Sequence, residues 1–308
     1  MACMPACAAL ISQMAVLPDA SAATDIPKQL AISVGQRKDN LNWNIAGSTV
    51  NVLSELKWEN MAIFQFQAAG ELHLKNDRRL RAMLGYGVIN SGANQDSDYN
   101  GNNRTQEFSR SNNNAGGDVL DASIAFGKKL RLRDLSAGKS FYVTPLAGLS
   151  IHRQNLTMTD GVQTISSAST PPLGPFPGLA SSYDALWMGP WVGAEVLVET
   201  ERGWDMRARA DYHVAEYSAK ANWNLRLDLA HPVSFRHTAT GSGIALSLGA
   251  SYPAGKNLKA NFWLEHHQWT TRAGSDQMHF ADGTVGYARL NAVNWSSTSC
   301  NFGFVRQF

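Results

Sequence analysis

The chain has 308 residues; 44% are hydrophobic and only 17% are charged, and 27 basic side chains nearly balance 25 acidic ones. Soluble domains average about 25% charged residues, yet the mean hydropathy is −0.24, so uncharged polar residues and 26 glycines supply the polarity. This composition excludes a disordered chain. The net charge of +2 gives no reason to expect a nucleic-acid partner.

The first 22 residues are predicted to be a signal peptide. Residues 3–17 are small and apolar, and Ala20-Ser21-Ala22 is an A-x-A cleavage pattern; a short buried helix is the alternative interpretation. Cleavage leaves Cys300 as the one cysteine of the mature chain, which therefore has no internal disulfide. After the first 22 residues the sequence contains no run of 18 apolar residues, so no membrane-spanning helix is predicted. Residues 23–308 are then a periplasmic protein, a secreted protein or an outer-membrane barrel.

Long alternating strands dominate these residues. Between Met206 and Tyr217, one face carries Met206, Ala208, Ala210, Tyr212 and Val214, and the other carries Arg207, Arg209, Asp211 and His213. A soluble sheet would bury the apolar face, whereas a small membrane barrel turns it towards lipid and packs polar residues into the lumen. The last strand alternates aromatic residues and ends at Phe308, which resembles the assembly signal of bacterial outer-membrane barrels.

Short and long connections alternate along the chain, as periplasmic turns and outer loops do in such barrels. Short polar turns lie at 75–78, 134–138, 199–203 and 253–257, and longer polar stretches lie at 90–117, 160–182, 222–243 and 271–287. With a first outer connection near 46–48, these segments predict ten strands. The predicted fold is all-β, a ten-stranded antiparallel transmembrane β-barrel of the outer membrane; a soluble β-sandwich is the alternative.

Several stretches, in order, resemble the omptins, the ten-stranded outer-membrane endopeptidases of Gram-negative bacteria. They are Ile32-Ser33-Val34-Gly35, the S-x-L-x-W of Ser54 to Trp58, the Asp-x-Asp-aromatic of Asp96 to Tyr99, the A-G-x4-R-x3-T-x3-G of Ala147 to Gly161, Phe235-Arg236 and the terminal Phe308. The resemblance covers nearly the whole mature chain at low identity. It implies an aspartic endopeptidase in which an Asp pair and an Asp-His pair activate a water molecule across the barrel mouth.

The resemblance implies that Asp96 and Asp98 form the Asp pair. Two carboxylates two residues apart on a strand share a face, so that one can hold a proton for the other; the alternative is a pair of ordinary solvated loop acids. If the period-two alternation of the strand is continued from Leu80, both side chains point towards lipid. A bulge near Gly92 is therefore expected to shift the alternation and turn them inward.

The partner pair is less well matched. Counting back from Phe235-Arg236 reaches Asp228 and His231, which we take as the catalytic Asp-His pair. Asp211 and His213 have the family's spacing but sit low on their strand, where a lumen ion-pair network is the plainer interpretation. A degenerate, non-proteolytic site is the third possibility. The family's histidine in the loop after the Asp pair is replaced by the segment 109–112.

The residues that select the substrate and bind lipid in omptins also differ in this chain. The acids that bind a basic P1 side chain in omptins are replaced by Asn42-Trp43-Asn44 and by Arg226. Arg153 matches one basic group that holds lipopolysaccharide, which the resemblance implies is needed for activity; a snorkelling interfacial arginine is the alternative. We expect no metal and no other cofactor, a peptide or protein substrate at the cell surface, and a monomer. The other candidate functions are a catalytically silent barrel, acting as an adhesin or as a structural envelope protein, and an envelope-lipid enzyme.

Overall fold

The computed structural model describes residues 28–135 and 139–308, with the side chains of 133–135 left aside. The predicted signal peptide lies outside the described residues. The strands are β1 (Lys28–Ile45), β2 (Ser54–His73), β3 (Arg78–Gly101), β4 (Thr105–Lys128), β5 (Leu130–Leu135), β6 (Lys139–Ile165), β7 (Gly174–Pro175), β8 (Ser181–Thr200), β9 (Asp205–Asn222), β10 (Phe235–Gly255), β11 (Leu258–Thr271), β12 (Gly274–His279) and β13 (Val285–Gln307). Among the described residues, no helix is long and apolar enough to span a membrane.

Ten of the strands form a closed antiparallel ring. Its order is β1-β2-β3-β4-β6-β8-β9-β10-β11-β13, and pairing of β13 with β1 closes it. The short strands β5 and β7 each pair with β6, and β12 pairs with both β10 and β13. Closure satisfies every strand edge, which a structure surrounded by hydrocarbon requires. The predicted ten-stranded barrel is confirmed.

The stagger of the ring can be read from its paired residues. A row that leaves β9 at Ala208 runs through Leu248, Leu264, Cys300, Gln36, Phe64, Val88, Asp118, Asn155 and Asp184 and returns to β9 at Lys220. The return point lies twelve residues beyond the start, so the shear number is 12. In a closed barrel the strand number and the shear number together set the tilt of the strands, which is typically about 35–45° to the barrel axis.

The two faces of β9 lie as the sequence predicted. Met206, Tyr212 and Val214 are each about half exposed, whereas Asp211 and His213 are buried in the lumen. Lipid-facing side chains on the neighbouring strands include Leu84, Tyr86, Ile124, Leu149, Val192, Leu246, Phe262 and Phe302. Above Val214 the outward residues of β9 become Glu216, Ser218 and Lys220. The apolar belt therefore ends at this height, and everything above it belongs to the extracellular part of the barrel.

A tryptophan layer closes the lumen at the upper edge of the belt. It consists of Trp187, Trp269 and Trp295, whose ring centroids lie 5.6–6.3 Å apart and which are 0–2% exposed. Below the layer the lumen is polar and rich in ion pairs, such as that of Arg37 with Asp39 and Asp121. A ten-stranded ring is narrow enough for side chains to fill it.

Candidate functional site

The acid pair lies on the inner face of the extracellular part of β3. The pairing of β3 with β2 shifts register between Glu59 and Ala62, and its pairing with β4 shifts between Ile89 and Ala93. Beyond this irregularity Asp96 lies opposite the fully buried Leu56. The bulge expected near Gly92 is therefore present, and it turns the carboxylates from the lipid parity to the lumen parity.

The carboxyl groups of Asp96 and Asp98 both have raised pKa values. Burial, reinforced by the negative charge of Asp98, raises the pKa of Asp96 well above its ordinary value. Burial also raises the pKa of Asp98, although Ser54, Arg226 and Ser109 oppose that shift. Asp96 Oδ1 is buried and has no hydrogen-bond partner among the described residues. Two close carboxyls in such a site retain a shared proton.

The connection between β9 and β10 faces the acid pair. Trp223 and the guanidinium of Arg226 both lower the pKa of Asp96 against the effect of burial. Arg226 also forms two hydrogen bonds to Asp228, of 2.8 and 2.7 Å, so its charge is shared between the acid pair and an exposed acid. Arg226 was identified in the sequence only as the replacement for a specificity acid, and in the structure it is the cation nearest to this chemistry.

The structure places the predicted Asp-His pair on the exposed surface of the same connection. Asp228 has a side chain that is 56% exposed and is ion-paired with Arg226. His231 is exposed, and its Nδ1 lies 2.7 Å from Asn222 Oδ1. Among the described residues, Arg226 is the link between the acid pair and Asp228. The neighbour of the His231 ring is the side-chain amide of Asn222.

The alternative pair, Asp211 and His213, lies deep in the lumen. Asp211 accepts a hydrogen bond from Arg209 at 2.9 Å, and the ring of His213 lies 3.1 Å from the hydroxyl of Ser150. This is the lumen network that the plainer interpretation expected.

A buried imidazole that sequence reasoning missed lies inside the mouth. His237 of β10 has Nε2 at 3.3 Å from Asp276 of β12 and Nδ1 at 2.8 Å from the hydroxyl of Tyr183. That hydroxyl lies 2.6 Å from the hydroxyl of Tyr217. Burial lowers the pKa of His237, although Asp276 opposes the shift. The signal in the sequence was its alternation with Phe235, which puts both residues on one face.

Aromatic rings lie between His237 and the acid pair. The ring centroids of Trp43 and His237 are 4.7 Å apart, and those of Trp223 and Phe235 are also 4.7 Å apart. Tyr183 stacks between Trp43 and Trp58 at 5.9 and 5.2 Å. We call Trp43, Trp58, Tyr183, Trp223 and Phe235 the aromatic lid. His237 is 1% exposed beneath it, so solvent does not reach this imidazole.

Arg153, the predicted lipopolysaccharide contact, lies on the outer wall at the upper edge of the belt. Its guanidinium makes two 2.7 Å hydrogen bonds to Asp184, and both side chains are exposed. An outward cation at this height can meet a lipid headgroup, but its charge is already balanced by the neighbouring strand. Among the described residues, no group of three or more His, Cys, Asp or Glu side chains is placed to hold a metal ion.

The closed ring, the outward apolar belt and the inward-facing polar side chains define an outer-membrane β-barrel. A family model described as Pom, Protochlamydia outer membrane protein, matches residues 31–308. The chain belongs to this family, and it resides in the outer membrane. No protein with a curated description matches the sequence.

Solved structures give the fold relationship. The outer membrane protease OmpT from Escherichia coli superposes with a TM-score of 0.74 at 16% identity, over 94% of this chain and 99% of that one. The translocator domain of autotransporter NalP from Neisseria meningitidis, at 12% identity, covers 98% of this chain and 96% of that one, with a TM-score of 0.37. OprG from Pseudomonas aeruginosa, at 8% identity, covers 92% and 96% with a TM-score of 0.32. The chain thus shares the fold of the omptin structure, and the relation to omptins is distant.

Proposed function

We propose that this protein is a surface-binding barrel that takes a cationic group of an external ligand at its mouth and does not hydrolyse peptides. The observation that carries the proposal is the aromatic lid, which fills the space between the acid pair and His237. In the omptin arrangement the attacking water is deprotonated by an imidazole within hydrogen-bond reach. The described groups around the acid pair instead include an arginine and an indole.

The chemistry of the mouth suits a cation. Asp96 Oδ1 is an acceptor without a donor among the described residues, and the acid pair attracts Arg226 although that residue is also bonded to Asp228. A lysine or arginine of a ligand would supply N–H donors to the same carboxylates. The exposed side chains of Leu225 and Leu227, which flank Arg226, add apolar contact area.

The test uses refolded barrel with lipopolysaccharide, a mixed peptide library and a fluorescent lysine-rich peptide. We expect no cleavage and saturable binding, with affinity falling about tenfold, equivalent to roughly 1.4 kcal/mol, in Asp96→Asn/Asp98→Asn. Asp282→Asn removes one exposed loop acid and serves as the control for a change of surface charge. Binding unaffected by the double substitution, or cleavage of any peptide by the folded wild type, would overturn the proposal.

The second candidate is an omptin-like endopeptidase, supported by the barrel shared with OmpT and by the raised pKa of the acid pair. In that function Asp96 and Asp98 hold the attacking water, and Asp228 and His231 supply the base, brought inward by movement of the β9–β10 connection. Cleavage would then be lost in His231→Ala. Dibasic sites would not be preferred, because the inward residue on β1 is Trp43 and Arg226 faces the acid pair.

A further inference from the structure

The lumen below the tryptophan layer contains a cavity that the proposed function does not use. Its volume is about 250 Å³, and its wall runs from Gln29 and Gln307 at the periplasmic end up to a histidine layer of His152, His213 and His267. The tryptophans separate it from the extracellular mouth. We call this cavity the vestibule.

The charges on the vestibule wall are paired, with one exception. Asp121 pairs with Arg37, Glu71 and Glu195 pair with Arg81, Asp205 pairs with Lys259 and Arg207, and Asp211 pairs with Arg209. Glu265 instead accepts hydrogen bonds from the neutral groups of Gln67, Ser299 and Asn301, at 3.3–3.4 Å. It has no ion pair with a described lysine or arginine. The wall therefore carries one carboxylate that lacks a cation.

Two of the unsatisfied groups on this wall are acceptors, whereas Arg207 Nε and Trp191 Nε1 are buried donors without a hydrogen-bond partner among the described residues. His152 Nδ1 lies 2.8 Å from Asp121, and because a carboxylate only accepts, the neutral ring carries its hydrogen there. His152 Nε2 then presents a lone pair, and it is buried without a partner among the described residues. Asn261 Oδ1 is likewise buried and unpartnered, and it lies on the same face of β11 as Glu265. Each of these two acceptors needs a donor.

We propose that the vestibule binds a small organic cation, an alkyl amine or diamine entering from the periplasmic end. An ammonium group carries three donors and no acceptor, which matches the free carboxylate of Glu265 and the unpartnered acceptors of Asn261 and His152. Its charge pairs with Glu265, and its remaining N–H groups reach the acceptors on β11 and in the histidine layer. An anion finds no cation that lacks a carboxylate, because each arginine and lysine of the wall already lies within 4 Å of one.

The experiment is isothermal titration calorimetry of the refolded barrel with 1,5-diaminopentane, with 1,5-pentanediol and glutarate as neutral and anionic analogues. Saturable binding is expected for the diamine alone. Glu265→Gln keeps the shape and removes the charge, and it should weaken binding about tenfold or more, the scale of one charge-assisted hydrogen bond. Glu216→Gln, on the outward face of β9, is the matched control. Folding of each variant is checked by heat-modifiable migration.

A variant that is expected to bind more tightly keeps the test decisive even if Glu265→Gln fails to fold. Asn261→Asp adds a second carboxylate on the same face and should tighten diamine binding. The titrations are repeated in the Asp96→Asn/Asp98→Asn background, which removes the acid pair of the mouth, and Glu265→Gln should leave binding of the lysine-rich peptide unchanged, which separates this site from the surface-binding function. Absence of diamine binding to the wild type, equal binding of glutarate, or an affinity unaltered in both Glu265→Gln and Asn261→Asp would overturn the proposal.

Discussion

Asp96 and Asp98 act as one titrating unit because the barrel places both carboxyls on one inward face and covers them. Their sequence neighbours are asparagine, glutamine and serine, which by themselves suggest an ordinary polar loop. Burial and mutual repulsion raise the pKa of Asp96, so the folded protein binds more protons than the unfolded chain above the ordinary aspartate pKa of about 3.9.

The sign of this shift gives a stability test. The stability contributed by protonated Asp96 is fully present below about pH 3.9 and is lost as the pH rises through the raised pKa. We therefore expect Asp96→Asn to lose less of its free energy of unfolding than the wild type between about pH 4 and pH 8. Urea unfolding in lipid vesicles at a series of pH values measures this. Asp77→Asn, in an exposed periplasmic turn, is the control, and equal slopes for all three proteins would contradict the assignment.

His237 gives the opposite sign. Because burial lowers its pKa, the unfolded chain binds more protons below about pH 6.5, and the stability contributed by the neutral ring is lost as the pH falls. His237→Gln should flatten the decline of stability below pH 6.5, in the same urea assay. The exposed His231→Gln should retain the wild-type decline. A parallel decline in His237→Gln would show that the ring titrates normally.

At the scale of elements, the outward faces of the strands make a direct prediction. Leu246 of β10 is 47% exposed within the apolar belt, whereas Thr240 on the same face of β10 is exposed above it. Arginine near the middle of the hydrocarbon costs roughly 2–4 kcal/mol, and near or beyond its edge about 0–1 kcal/mol. We expect Leu246→Arg to lower the free energy of unfolding by that larger amount and Thr240→Arg to change it little. Equal effects of the two substitutions would place the belt elsewhere.

The strands were largely predictable, and the site was not, for a physical reason. Alternation with period two is local, so the inward and outward residues of β9 could be assigned without knowing its neighbours. The need for a bulge near Gly92 followed from the same parity argument. The contact of His237 with Asp276, by contrast, joins residues of β10 and β12 that only the closed ring brings together. No local pattern encodes such a contact, and the exposed placement of His231 equally depended on how the β9–β10 connection folds.

For the whole molecule, we expect the tryptophan layer to block the passage of ions through the barrel. Trp187, Trp269 and Trp295 pack without exposed surface between the mouth and the vestibule. We expect no conductance steps from the wild type in planar bilayers, and steps from Trp269→Ala/Trp295→Ala, which removes two of the three rings. Trp263→Ala, on the vestibule wall below the layer, is the matched control. Steady conductance of the wild type would mean that the layer is open in the membrane.

The same three rings also give the barrel an optical signature of its completed form. Trp269 and Trp295 are paired on the adjacent strands β11 and β13, with centroids 5.6 Å apart, whereas Trp187 of β8 meets them from across the lumen at 5.7 and 6.3 Å. Indoles at such distances couple their electronic transitions, which splits their circular dichroism into a pair of bands of opposite sign. Sheet content rises, and Trp269 couples to Trp295, as soon as neighbouring strands pair on a membrane surface, but the coupling of Trp187 to these two indoles requires strands from separate parts of the ring to face one another. Its appearance therefore times the closure of the barrel separately from the formation of its strands.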